Sequence, residues 1–140
     1  MNLKLDWILG IDVKKENIKY ICSRGLKAAN ERIVYSSGKA IVIYFPKLNV
    51  QHYYKEHSQA ISVIEISGDN RLVASGEEGD SPEIHIWEMK NRYNLVKFKK
   101  LHKESITFLK FFKEDRQLIT ASHNTTTFYQ SETPIVILSL

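Results

Sequence analysis

Apolar residues in this chain come in short bursts of period two. In "EIHIWEM" (83–89), Ile84, Ile86 and Glu88 fall on one side and His85, Trp87 and Met89 on the other, the alternation of a β-strand. "ISVIEIS" (61–67), "RLVASGE" (71–77) and "NLVKFKK" (94–100) are equally short and rich in β-branched and aromatic residues. Turn-forming clusters separate them: "SGDN" (67–70), "EEGDSP" (77–82) and "KNR" (90–92). No window of eleven residues carries an i, i+3, i+4, i+7 apolar stripe with helix caps. The pattern predicts an all-β chain.

The strands fall into units because the sequence repeats. "NVQHYYKEH" (49–57) returns as "NLVKFKKLH" (94–102), so Asn49 to Asn94 and His57 to His102 are both steps of 45 positions. The same step sets Ile61 on Ile106, Val63 on Phe108, Ile66 on Phe111 and Arg71 on Arg116. One extra residue, Gln117, then brings Leu72 onto Leu118. "IHIWEM" (84–89) corresponds to "TFYQSE" (127–132), where Tyr129, one position short of strict register, is the aromatic counterpart of Trp87, and "IVIYF" (41–45) lies over "IHIWE", with Tyr44 under Trp87.

Three units follow, at about 1–56, 57–101 and 102–140. Strands are expected near Ile18–Cys22, Arg32–Ser36, Ala40–Phe45 and Val50–Lys55, and near Ile61–Ser67, Arg71–Gly76, Glu83–Met89 and Leu95–Lys99. The third unit places them near Ile106–Phe112, Gln117–Ser122, Thr126–Gln130 and Ile135–Leu138. Four short strands in about 40–45 residues resemble a β-propeller blade of the WD40 type, and closed rings carry roughly four to eight such blades. The expectation is an incomplete propeller of about three four-stranded blades.

A WD40 blade ties a His ahead of its first strand, a Ser or Thr on the second, an acid in the next turn and a Trp on the third into one buried hydrogen-bonded chain. The second unit offers His57, Ser75, Glu77 or Glu78, and Trp87; the third offers His102, Thr120, Asn124 and Tyr129. The Gly usual before the His is absent (Glu56, Leu101), and Glu88 follows Trp87 in place of Asp. These are degenerate blades.

The front of the chain resembles a particular family. "LKLDWILGIDVKKENIKYI" (3–21) and "ERIVYSSGKAIVIYFPKLNVQHYYKEHSQAISVIEIS" (31–67) are similar to the opening of the echinoderm microtubule-associated-protein-like family. Leu3, Leu5, Asp6, Trp7, Gly10, Val34, Tyr35, Tyr44, Gln51, His52, Tyr53 and His57 sit on its matching positions. "LVASGEEGDSPEIHIWE" (72–88) resembles a later segment, while "IDVKKENI" (11–18) departs from the pattern. The resemblance implies a tandem-propeller protein that associates with microtubules, including those of cilia, and a chain much longer than this one. Trp7 joins His57, Ser75, Trp87, His102, Thr120 and Tyr129 among the expected blade residues.

Composition narrows the classes. The fractions, 43% hydrophobic and 26% charged, are those of an ordinary globular domain, and the net charge of +4 is too small to argue for a polyanionic partner. A single cysteine, Cys22, cannot pair internally, which fits a reducing compartment. The N-terminus has no signal-peptide core and no run approaches 18 apolar residues, so a cytoplasmic, cytoskeletal or axonemal location is expected, with no membrane role.

Chemistry is sparse. None of the five histidines pairs with Cys or sits at i, i+4 on a helix, so they read as hydrogen-bonding groups and no metal is expected. "SGEEGDSP" (75–82) lacks the alternating oxygens of a calcium loop, and neither "GLKAANE" nor "SSGKA" has the spacing of a phosphate loop. No Ser stands in a nucleophile elbow, Cys22 reads as a strand residue, and no carboxylate pair lies on apolar strands. No enzyme and no cofactor are expected; nucleic acid is disfavoured for want of an RNP-type motif. Lys97, Lys99, Lys100 and Lys103 form a basic outer stretch, solvated or facing an acidic partner such as tubulin. The apolar edge "PIVILSL" (134–140) needs cover from further blades or another polypeptide. The functional expectation is a non-catalytic scaffold bound to microtubules or axonemal proteins; the alternative is a generic adaptor that binds peptides.

Overall fold

The computed structural model describes residues 7–8, 10, 18–21, 31–122 and 135–140. All regular structure among them is β, in three antiparallel sheets. The first sheet runs β1 (Ile18–Ile21), β2 (Arg32–Ser37), β3 (Ala40–Phe45) and β4 (Val50–Tyr54) in chain order. The second runs β5 (Ile61–Ile66), β6 (Leu72–Glu77), β7 (Ile84–Glu88) and β8 (Tyr93–Phe98). In the third, β9 (Ile106–Phe112) pairs with β10 (Gln117–Ser122), and β10 pairs with β11 (Ile135–Ser139). Ala40–Phe45, Ile106–Phe112 and Gln117–Ser122 fall where expected, and the limits of the other described strands shift by at most two residues.

Alternation puts both faces of the middle sheet to use. Trp87 and Met89 enter a core with Val34, Ile41, Ile43 and Tyr54 of the first sheet. Ile84 and Ile86 enter a second core with Ile106, Leu109, Phe111 and Leu118 of the third. Burial of one such aliphatic side chain is worth about 1.5–3 kcal/mol, so these two seams hold the sheets together. Gly76 is fixed by the second seam: a Cβ there would stand 2.8 Å from Ile106 Cβ.

The 45-residue step is kept in three dimensions. The β5–β6 register slips between Ile61 and Val63, and the β9–β10 register slips between their counterparts Ile106 and Phe108. Each slip is a β-bulge with a hydroxyl residue in it: Ser62 Oγ donates to the Ile106 carbonyl of the third sheet at 2.5 Å, with the Gly76 carbonyl farther off at 3.2 Å, and Thr107 Oγ1 donates to the Ala121 carbonyl at 3.3 Å. Asn70 and Asp115 take the same left-handed turn position, with φ of 60° and 62°.

Two alignments need correction. No residue is inserted at Gln117. Ile64 faces Ser75 and Leu109 faces Thr120, so Gln117 matches Leu72, and Leu118 matches Val73, both of them wholly buried. The second concerns Ile135–Leu138, expected as the outermost strand of its unit. Instead β11 lies directly on β10, with Leu118 opposite Leu138 as Val73 is opposite Trp87. The Leu140 amide bonds the Arg116 carbonyl at 2.9 Å, as the Met89 amide bonds that of Arg71 at 2.9 Å. Residues 135–140 thus fill the place of 84–89 beside β10. Leu138, not Tyr129, takes the tryptophan's position; Tyr129 and the expected strand Thr126–Gln130 lie outside the described residues. In the first sheet Tyr44 does match Trp87, since Ile33 faces Tyr44 as Val73 faces Trp87.

Candidate functional site

The seam between the first two sheets contains a polar network in an apolar setting. Trp87 Nε1 donates to Ser75 Oγ at 3.1 Å, and Ser75 Oγ lies 2.6 Å from His57 Nε2. His57 Nδ1 lies 2.9 Å from Glu77 Oε1. A carboxylate can only accept, so His57 carries its proton on Nδ1 and takes the Ser75 hydroxyl proton at Nε2. Each donor has one acceptor, from Trp87 through Ser75 and His57 to Glu77. Burial alone would raise the Glu77 carboxyl, but the bond from His57 and the amides of Glu83 and Ser58 outweigh it and hold it at about 2.

A second chain runs beside the first. Asn94 Nδ2 donates to Tyr54 Oη at 2.7 Å, Tyr54 Oη donates to His85 Nδ1 at 2.9 Å, and His85 Nε2 donates to Glu83 Oε2 at 2.8 Å. Burial lowers His85 to about 4, so its Nδ1 is free to accept. The chains touch through their rings: His57 stacks on His85 at 3.7 Å and Tyr54 on Trp87 at 4.4 Å. Tyr54 and Asn94 were not singled out in the sequence, and His85 was read there only as one of five hydrogen-bonding histidines. Only the position of His85, two residues before Trp87 on the same side of the strand, hinted at it.

His57, Glu77 and His85 present ligand-type atoms within 4.8 Å of one another. Parallel imidazoles 9° apart cannot aim two in-plane lone pairs at one ion, and all four ring nitrogens already have partners. The arrangement serves hydrogen bonding.

The third sheet carries a reduced version. His102 Nε2 bonds Thr120 Oγ1 at 2.7 Å, but Ser122 stands where Glu77 stands one step earlier, and His102 Nδ1 is buried without a partner. Trp7 is 39% exposed and sets its ring edge-on to Tyr44 at 6.0 Å. Beside it Gln51 clasps the backbone of Ile8, accepting its amide at 2.9 Å and donating to its carbonyl at 3.2 Å.

Two surfaces face outward. Lys97 pairs with Glu56 at 3.1 Å and Lys99 with Glu83 at 3.4 Å, whereas Lys100 and Lys103 are exposed. The far face of the third sheet bears Phe108 and Ile137, 47% and 59% exposed. Their counterparts in the second sheet, Val63 and Ile86, are buried against the third. Along the innermost strands Glu65 accepts from Lys19 at 3.2 Å and Lys110 at 3.3 Å, linking β1, β5 and β9.

No protein-family model matches the chain. It is 29% identical over 93 residues to mouse cilia- and flagella-associated protein 52, covering 64% of this chain and 15% of that protein. It is 26% identical over 89 residues to mouse WD repeat-containing protein 62 (63% and 6%), and 25% over 75 residues to mouse mitogen-activated protein kinase-binding protein 1 (53% and 5%). The chain therefore spans only a small part of these relatives. The crystal structure of the RRP9 WD40 repeats superposes with a TM-score of 0.60 at 21% identity, over 81% of this chain and 34% of that one. The structure of U3-55K gives 0.60 at 20%, over 81% and 35%. The three sheets have the fold of WD40-repeat β-propeller blades.

Proposed function

We propose that the chain is a non-catalytic scaffold whose third sheet docks a further blade, and whose assembled surface binds microtubules or axonemal proteins. The observation that carries the docking half is the apolar face of Phe108 and Ile137, exposed at positions that the preceding sheet buries. A layer there would bury them as the third sheet buries Val63 and Ile86. The microtubule half draws support from the front-segment resemblance to the echinoderm microtubule-associated-protein-like family and from the similarity to a cilia- and flagella-associated protein. A cytoplasmic, cytoskeletal location, the ciliary axoneme included, belongs to this reading. In this reading Lys100 and Lys103, exposed and in no ion pair among the described residues, meet an acidic tubulin surface, whereas Lys97 and Lys99 have carboxylates beside them. Co-sedimentation with microtubules during a salt titration tests it: binding that fades between about 50 and 300 mM salt is expected. Failure to pellet at low salt contradicts it.

A second reading, a general adaptor that binds peptides in a cytoplasmic complex, is favoured by the similarity to a protein named for binding a mitogen-activated protein kinase. It predicts no pelleting with microtubules.

A further inference from the structure

At one end of the seam between the first two sheets lies a groove of about 530 Å³. Its apolar floor is Phe45, packed on the first core, and Met89, which is buried. Three cations stand around it, Arg32, Arg71 and Lys90. Their pairing is incomplete. Arg71 meets Asp69 only at 3.9 Å with both groups exposed, and no ion pair reaches Arg32 or Lys90 among the described residues. Arg32 Nε is buried with no hydrogen-bond partner, and its Nη2 makes only a long 3.4 Å contact to the Asn70 carbonyl. A half-buried guanidinium with an idle donor fits a carboxylate placed against it.

We propose that this groove binds an extended peptide segment, one Asp or Glu carboxylate of the peptide pairing with Arg32 and a neighbouring apolar side chain resting on Phe45 and Met89. The rim decides between a peptide and a nucleic acid. Asp69 and Glu88 also line the groove, and two fixed carboxylates repel a chain of phosphates. A peptide instead brings backbone N–H groups that those carboxylates accept. The Lys97–Lys103 stretch has exposed cations but none with a buried, unpartnered donor like Arg32 Nε. The site is independent of the microtubule reading, and its test uses no microtubules.

The probe is a fluorescein-labelled peptide, Gly-Ser-Leu-Glu-Phe-Ser-Gly, beside its Gln counterpart, titrated with the full chain and read by anisotropy. The Glu peptide should bind about tenfold or more tightly than the Gln peptide. Arg32→Gln should remove that preference and leave the Gln peptide unchanged, and in the parent protein the Arg32 Nε–H resonance should move downfield on titration. If Arg32→Gln does not fold, Arg71→Gln and Lys90→Gln, both at exposed positions, should together weaken the Glu peptide severalfold. Equal binding of the two peptides, no binding by either, or displacement by inorganic phosphate or a single-stranded oligonucleotide at equal concentration would overturn the proposal.

Discussion

Val63 and Phe108 stand one 45-residue step apart at the same bulge of successive sheets, yet Val63 is 4% exposed and Phe108 47%. The difference is what lies beyond each: Val63 faces the third sheet, and no described element faces Phe108 in the same way. Substitution should separate the two. Val63→Ser should cost about 2 kcal/mol or more, by losing buried apolar surface and burying a hydroxyl, while Phe108→Ser should cost under about 0.5 kcal/mol. Chemical denaturation of both variants checks this, and equal losses would mean that Phe108 is covered.

The Trp87–Ser75 bond is a further point of leverage. Trp87→Phe keeps most of the ring and its stack on Tyr54 but removes the donor to Ser75 Oγ. A loss of about 1–2 kcal/mol is expected, partly from ring volume and partly from the unmade bond. In a double-mutant cycle with Ser75→Ala the two losses should fall short of additive by about 0.5 kcal/mol or more. Strict additivity would show that the bond contributes nothing.

Acid should weaken the protein in two stages. His85 is lowered from 6.5 to about 4, so the unfolded chain binds its proton first as pH falls. Its contribution is complete above pH 6.5 and lost between 6.5 and 4, about 3 kcal/mol at most. Glu77 is lowered from 4.5 to about 2, so its contribution is present above pH 4.5 and lost from there down to 2. Melting temperature should therefore fall already between pH 6.5 and 4. His102 and His52 are also lowered by burial and add to that limb, so His85→Gln should make it shallower while leaving the lower one, and an unchanged limb would remove His85 as a contributor.

Gly76→Ala tests how closely the second and third sheets approach. The new methyl meets Ile106, a branched buried side chain with little room to yield, and should cost about 1–3 kcal/mol. Ile106→Ala in the same molecule should relieve the clash, so that the pair is less damaging than the sum of its parts. A neutral Gly76→Ala would mean that the sheets part easily.

Much of this was legible in the sequence, and the limits of legibility have physical causes. The 45-residue step, the strands and the two-sided alternation of β7 could be read because period and side-chain direction are local properties. The third strand of the last sheet was misplaced because pairing partners in a sheet are chosen by what buries best. Residues 135–140, an apolar run of β formers, take that position beside β10. The second hydrogen-bonded chain was missed for a related reason: Tyr54 lies 31 positions from His85 and 40 from Asn94, and only stacking of the sheets joins them. The same holds for the groove at Arg32, whose floor takes one residue from each sheet.

The most direct test of the docking claim is sedimentation velocity of the full chain over a wide concentration range, beside the Phe108→Lys, Ile137→Lys double variant. The account predicts that the parent chain rises above its 16.3 kDa monomer mass as concentration increases. The double variant should remain a monomer with an unchanged melting temperature. A parent chain that stays a 16.3 kDa monomer at every concentration and melts cooperatively would contradict an uncovered docking face.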